Sequence, residues 1–470
     1  MVFQTVNNEH NNINFRSDRY NRQIAHYPAI QDPAQYYYYP SSRESLIAAI
    51  KNRHEPERTK LYQPKIQKNI YKHIRKFIMK VQPWTRQQYV DAIIDPGKRK
   101  SYQDCLDEME RTGKVYSHIV PHTKIEKMKS NKYKAPRLIQ ARHMTHNIEV
   151  GRYLKPLEIA VKSKFINFTK GNYDSVAARI EKLASKFKYF TESDHVTFDA
   201  HITVEHLKMT HKFYLACFNH DRTLQKYLKK TINNRIRTRD GTKWTVRGTR
   251  MSGDVDTSFG NSLINYAIIM QVLENLQLKG DAIVNGDDSI IFTNQKVDNK
   301  LAKIMFDIYN QETEIKESEN SIHRVEFCRT RLVYPASGKP TMMMDPKRLN
   351  SIYGMTYKLI PPEEYANYLI NIKKANESIN KNTPIGHYWH TDEEVKHDKH
   401  IDYSLKRVIT RESVNQTSTT EITITMFIAY PNLLEDLNKT TELIKRNLPR
   451  KNSPSWFIDH DNKKLHQLND

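Results

Sequence analysis

A chain of 470 residues is too long for one small core, and two or three lobes are expected. Its 75 Lys and Arg against 53 Asp and Glu leave a net charge of +22, which favours a polyanionic partner, either nucleic acid or an acidic membrane surface. Three cysteines without paired spacing, Cys105, Cys217 and Cys328, argue against a disulfide framework or a zinc site and fit a reducing compartment. No signal peptide is visible, and no apolar run reaches the roughly 18 residues of a membrane span. The longest candidate, 422–430, is short and interrupted by Thr, so any membrane attachment is expected to be peripheral or through a partner.

Residues 1–57 are rich in Asn, Gln, His, Arg and Tyr, and read as a polar, draped extension. Residues 60–80 follow, with Ile66, Ile70, Ile74 and Phe77 at helical spacing. Asp95-Pro-Gly-Lys98 marks a break. In Lys134-Ala-Pro-Arg-Leu-Ile-Gln-Ala-Arg142, Pro136 disfavours helix and the alternation predicts an extended ribbon with Lys134, Arg137 and Arg142 exposed along it. Guanidinium groups so arrayed suit phosphate oxygens. Helices are expected over 150–190, broken near Gly171, before the acidic segment begins.

That segment, 190–203, carries Asp194 near an expected strand end and Asp199 five residues later, where the chain turns. Asp199 reads either as a substrate-facing carboxylate or as the cap of the helix that follows. Asp240-Gly241 is a plausible hairpin turn. In Met251-Ser-Gly-Asp-Val-Asp-Thr-Ser-Phe-Gly-Asn261, Ser252-Gly253 supplies a flexible loop, and a helix is expected from there to Leu278, closed by Gly280. Thr257 and Asn261 share one face of it, four residues apart. Asn offers the donor and acceptor that a sugar hydroxyl requires, although either residue could instead serve the backbone.

Residues 281–292 then read as two apolar runs around Asn285-Gly-Asp-Asp288, the pattern of a buried hairpin with Gly286-Asp287 as its turn. Adjacent carboxylates at such a tip repel unless a cation sits among them. An isolated Gly-Asp-Asp is most often an acidic surface turn, so the weight rests on its company. Beyond residue 350 the chain is Lys- and Asn-rich, with helical pieces near 363–372 and 433–448 and a charged tail.

Together, Asp194-x4-Asp199, Ser252-Gly-Asp-x2-Thr257-x3-Asn261 and Gly286-Asp-Asp288 give the chain a resemblance to the viral RNA-dependent RNA polymerases of the tombusvirus-like, positive-strand group. Lys134-Ala-Pro-Arg137 to Arg142, Gly151-Arg-Tyr-Leu-Lys-Pro-Leu-Glu158, Val325-Glu-Phe-Cys328 and Met342-Met-Met-Asp-Pro346 extend the similarity over residues 85–350. The chain departs from that group's usual wording at His195-Val-Thr-Phe198 and Ala200, while both carboxylates and their spacing are kept.

The resemblance implies an α+β, right-handed palm, fingers and thumb. The fingers would cover 58–190 with an insertion near 206–248, the palm 191–345 on a ferredoxin-like sheet, and the thumb and tail 346–470. It implies Asp194 and Asp287 as principal ligands of Mg²⁺ (Mn²⁺ as substitute), with Asp287 opposite Asp194 and Asp288 in support. Asp199 and Asn261 would read the ribose 2′-hydroxyl, in a pocket shaped by Ser252 and Thr257. Lys134, Arg137 and Arg142 would guide the triphosphate, and Lys316 would be the general acid for pyrophosphate. Cys328 reads as a packed thiol. Expected partners are an RNA template and product duplex, ribonucleoside triphosphates and other viral or host replicase proteins. The expected location is the host cytoplasm, at membranes through a partner. Two rivals stand beside this reading: a reverse transcriptase-like palm enzyme and a non-catalytic RNA-binding replication scaffold.

Overall fold

The computed structural model describes residues 43–54, 57–124, 126, 134–239, 241–354, 360–401 and 419–445, with short strands at 36–37, 128–129, 455–459 and 464–468. Most of the polar N-terminal stretch, Asp240, Pro449 and Pro454 lie outside these residues. The architecture is α+β. Its centre is a four-stranded antiparallel sheet in the order Thr313–Ile315, Tyr189–His195, Asp288–Thr293, Gly280–Asn285.

Both faces of that sheet are covered, which is why its strands read as nearly continuous apolar runs. On one face Ala282, Val284 and Ile291 join Phe213, Phe259 and Phe306 from the helices Val204–Cys217, Thr257–Asn275 and Asn299–Ile308. On the other, Ile283, Ile290 and Phe292 pack on the helix Tyr173–Ala184 and on a three-stranded sheet built from Glu326–Phe327, Thr330–Val333 and Thr341–Met344. Residues beyond 346 form a separate helical core around Tyr353, Tyr365, Trp389 and Leu437.

A second four-stranded sheet runs Leu138–Arg142, Ile119–Thr123, Asn233–Arg237, Lys243–Arg247. The last two strands form the hairpin expected around Gly241. Its buried face, Ile119, Leu138, Ile236, Trp244 and Val246, is covered by Leu46, Ala49 and Ile50 of the helix Arg43–His54. That helix belongs to the stretch expected to be a polar extension. Its apolar residues in that core fall at i, i+3 and i+4, enough to seat one face.

Two local expectations change. The apolar spacing in 60–80 does bury Ile70, Ile74 and Phe77, but on 3₁₀ turns, Pro64–His73 and Arg75–Phe77, rather than on an α-helix. The central helix ends at Asn275, with Gln277 in the left-handed region at φ 56°. Gly280 therefore begins the strand instead of closing the helix. Among the described residues no helix is long and apolar enough to cross a membrane.

The loop before the central helix is stitched to the second sheet. Ser252 Oγ accepts a hydrogen bond from the Gln140 amide at 2.9 Å, and Asp254 pairs with Arg142. Gly253 sits between these ties, where a Cβ would lie 2.2 Å from the Gln140 carbonyl oxygen and 2.8 Å from Ala141 Cα. The contact is backbone on backbone and cannot yield by a rotamer change. Gly253→Ala should therefore cost at least the 1–3 kcal/mol typical of overpacking, read as a lower urea midpoint at unchanged m-value; an unaltered midpoint would show that the loop gives way.

Candidate active site

The hairpin Gly280–Asn285 to Asp288–Thr293 closes through Gly286 and Asp287, with Asn285 paired to Asp288. Gly286 has φ 63° while Asp287 keeps negative φ, the pattern of a type II′ turn. The central helix fixes this tip. Ser262 Oγ accepts from the Gly286 amide at 2.8 Å, and Asn265 Nδ2 donates to the Gly286 and Asp287 carbonyls at 3.2 and 3.1 Å. With its amide nitrogen so used, Asn265 Oδ1 accepts from His195 Nε2 at 2.9 Å, leaving His195 Nδ1 to accept from Thr313 Oγ1 at 2.8 Å. Burial drives His195 down to about 4, so the ring is neutral and serves as a spacer. The departure from small residues at this position thus fills space between Phe198 and Phe306.

The strand Tyr189–His195 pairs with Asp288–Thr293 as far as Glu192 opposite Ile290. One step on, Ser193 Oγ and Ser289 Oγ are 2.7 Å apart. The next step brings Asp194 across from Asp288. Asp287 was expected there, but it occupies the turn, because a two-residue loop places the second Asp on the strand. Asp287 and Asp288 are both exposed at the tip. Partial burial of the carboxylate and then the neighbouring Asp287 raise Asp288 to about 6, with Asp194 adding to it. Asp287 is also raised, first by burial and then by Asp199, with Asp194 contributing and Arg137 opposing. The four acidic groups therefore share one field. Among the described residues no group of three or more His, Cys, Asp or Glu side chains is gathered so as to hold a metal ion by itself.

Asp199 is the cap of nothing: Thr203 caps the helix Val204–Cys217 in a capping box with His206. Asp199 Oδ1 instead accepts from Asn261 Nδ2 at 2.7 Å, and Oδ2 pairs with Arg53 Nη1 at 3.2 Å. Asn261 Oδ1 in turn accepts from Arg250 Nε at 2.9 Å. Arg250, 1% exposed, pairs with Asp256 at 3.0 Å, and Tyr214 donates its hydroxyl to that carboxylate at 2.8 Å. The chain Arg53, Asp199, Asn261, Arg250, Asp256 and Tyr214 fixes both the Asp and the Asn side chain. Thr257 lies beside this network and donates to the carbonyls of Met251 and Asp254, tying the loop to the helix start.

The cations divide. Lys134 and Arg137 are exposed, and Arg137 reaches the field at Asp287. Arg142 is a correction: it lies on the buried face with Leu138 and Gln140, not on the exposed ribbon. Its guanidinium grips Asp254 and donates to the Ser117 carbonyl at 2.9 Å and Asn234 Oδ1 at 2.6 Å, so it is committed inside the fold. Lys316, with 63% of its side chain exposed, pairs with Glu192 at 3.0 Å. Cys328 lies against the tip, accepting from Asn285 Nδ2 at 3.3 Å. Burial, then the Asp288 charge, push its thiol up to about 12, so it stays protonated.

Ser262, Asn265, His195, Arg53 and Arg250 are the participants that the sequence reading missed. Asn265 left a signal, since Thr257, Asn261 and Asn265 repeat every four residues along an otherwise apolar helix. Arg53 and Arg250 left none.

An α+β protein with carboxylates gathered at a central hairpin, beside a fixed Asp–Asn pair, defines a broad class of acidic active centres. The comparison with known families narrows it. The family model of viral RNA dependent RNA polymerase matches residues 41–425, and the chain belongs to that family. The RNA-directed RNA polymerase of Oat chlorotic stunt virus is 30% identical over 300 residues, covering 58% of this chain and 39% of that protein. Those of Tobacco necrosis virus (strain A) and Turnip crinkle virus are 29% and 30% identical, over 53% and 52% of this chain and 37% and 33% of theirs. The chain thus spans about two fifths or less of the length of these curated relatives.

The crowding has a pH signature. Asp288 holds its proton to about pH 6 in the folded chain but only to about 3.8 when unfolded. Its contribution to stability is therefore full below about pH 4 and is lost as pH rises through about 6. Asp288→Asn should be more stable than the parent protein above pH 6 in metal-free buffer, with the gap closing toward pH 4. Urea midpoints across that window measure it, and a gap independent of pH would contradict the shared field.

Proposed function

We propose that the chain is the polymerising part of an RNA-directed RNA polymerase, joining ribonucleoside triphosphates to an RNA 3′-hydroxyl on an RNA template. The observation that carries this reading is the meeting of Asp194 with the Asp287–Asp288 tip, next to an Asp199 held by Asn261, in a member of the viral polymerase family. In this reading the sheet that bears the carboxylates is the palm. The second sheet with the helix Arg43–His54 belongs to the fingers, and the helices beyond 346 form the thumb.

The donor set fits Mg²⁺. Carboxylate oxygens are hard ligands, and a partial set is what an ion needs if phosphate and water oxygens complete its shell. Asp194 and Asp287 would hold it, with Asp288 in support, and Mn²⁺ could substitute. Bound there, two such ions supply activation of the 3′-hydroxyl and neutralisation of the charge that develops on the α-phosphate.

The protein's own groups do the rest. Ser262 and Asn265 hold the tip against the repulsion of its carboxylates. Asn261, with its carbonyl oxygen engaged by Arg250, keeps its amide toward Asp199 and presents a fixed polar pair to a ribose hydroxyl. Arg137, exposed and within the field of Asp287, is suited to a triphosphate, as is Lys134; Arg142 is not, because its donors are spent. Lys316 as general acid has its ammonium drawn toward Glu192 and would have to leave that pair to reach pyrophosphate.

Incorporation of labelled ribonucleotides on an RNA template with Mg²⁺ tests the reading. Asp287→Ala should lower turnover by at least about a thousandfold, about 4 kcal/mol of transition-state stabilisation, while RNA affinity is kept. Normal polymerisation by that variant would overturn the site. Arg53→Ala should loosen Asp199 and lower the preference for ribo- over deoxyribonucleotides several-fold, with Arg53→Lys restoring part of it. An unchanged ratio would make Arg53 structural only.

A further inference from the structure

Two adjoining grooves of about 670 and 570 Å³ lie on the outer face of the second sheet and meet at Arg235. Two periodicities aim cations into them. The helix Arg222–Leu228, continued by the turn Lys229–Thr231, sets Arg222, Lys226 and Lys229 on one side at i, i+4 and i+7. The strand Asn233–Arg237 exposes every second residue, so Arg235 and Arg237 project from one face. Arg237 stands directly opposite Lys243 on the paired strand, an arrangement of like charges that destabilises a sheet.

Some surface cations elsewhere are neutralised. Lys155 and Lys162 share Glu158, and Lys439 pairs with Glu435. Among the described residues lining either groove there is no Asp or Glu. A concentration of cations with no acidic neighbour in the groove raises the energy of the free protein, and a polyanion laid along the groove offsets it.

The grooves are not part of the carboxylate site. Ile236, Trp244 and Val246, on the opposite face of the same strands, pack under the helix Arg43–His54, and it is from that helix that Arg53 reaches Asp199. Ile236 and Trp244 also line the first groove, but its cations Arg235, Arg237 and Lys243 project from the face of the sheet opposite that helix, and neither groove is lined by a residue of the acidic centre. At their rim Tyr116 is exposed, with its ring 6.3 Å from that of His118, which lines the first groove. An aromatic face beside a row of cations is the combination that grips single strands, with bases stacked and phosphates tracked. A lipid surface would call for a flat or convex basic face with apolar side chains projecting into it, whereas these walls are concave.

We propose that this outer face is a second RNA site, a groove that holds the backbone of single-stranded RNA apart from the catalytic centre. It agrees with the polymerase reading without depending on its chemistry, since an inactive chain would still bind RNA here.

The test uses the full chain and labelled oligouridylate, with affinity followed over a range of salt concentrations. Neutralising three groove cations together (Lys226→Gln, Arg235→Gln and Arg237→Gln) should weaken binding about tenfold or more and flatten the salt slope by about 2, at about 0.7 per lost phosphate contact. A control that neutralises Lys186, Lys300 and Lys303 should change neither comparably. Arg235→Lys with Arg237→Lys keeps the charge and should keep the slope, which separates lost contacts from lost folding. Equal effects in the groove and control variants would overturn the proposal. So would loss of binding to phosphatidylserine vesicles with RNA affinity intact, which would make the face a lipid surface. Nucleotide addition to a saturating, short, pre-annealed primer–template should continue in the groove variant, and its loss would place the groove within the catalytic path.

Discussion

Two unit charges 4 Å apart near a protein surface repel by about 4 kcal/mol, and this chain gathers several carboxylates at one hairpin tip. The backbone of the tip is held from behind. Ser262 takes the turn's amide and Asn265 takes two of its carbonyls. Both side chains come from the central helix, which is buried along nearly its whole length and so cannot drift. The Ser193–Ser289 contact fixes the strand register one residue before Asp194 and Asp288 meet. A slip of one residue would send Asp194 to the face packed on the helices. Position is thus set by hydrogen bonds to neutral groups.

The neighbouring Asp199 is treated in the opposite way. It has a cation on one oxygen and an amide on the other, and the amide is itself oriented by a buried arginine. Arg250 would be expensive to bury alone, and Asp256 with the Tyr214 hydroxyl makes its burial tolerable. Breaking any link would leave a charge or a polar group stranded in the interior. On the proposed function, a group that discriminates needs one orientation, whereas groups that accept an ion need open oxygens, and the two surroundings divide along that line.

Much of this was legible in the sequence, for a reason that can be named. The acidic tip is local: an apolar run, a Gly-Asp turn and a second run can hardly fold otherwise, and the strand and helix around it carry strong periodicity. Thr257 and Asn261 followed from helical spacing. What escaped was set by partners remote in the chain. Arg142 looked like an outward cation because strand alternation gives two faces without saying which is covered; Asp254, far along the sequence, decides that. Which Asp faces Asp194 depended on the register of a ladder between strands about ninety residues apart. The helix Arg43–His54 looked like polar extension because three buried apolar residues suffice to seat it when the sheet beneath supplies the rest.

The net charge of +22 shows the same limit from another side. Taken as a sum it argues for a polyanionic partner, yet the cations are spent in three unlike ways. Arg142 and Arg250 are internal and hold carboxylates that would otherwise be stranded. Arg53 and Arg137 act on the acidic centre, one by contact and one through its field. Those on outer faces, such as Arg235 and Arg237, remain available to a partner. Burial turns a cation from a recognition group into a structural one, so the charge open to a polyanion is the subset with solvent on one side and no carboxylate on the other. The sum in the composition counts all of these alike, and the fold alone sorts them.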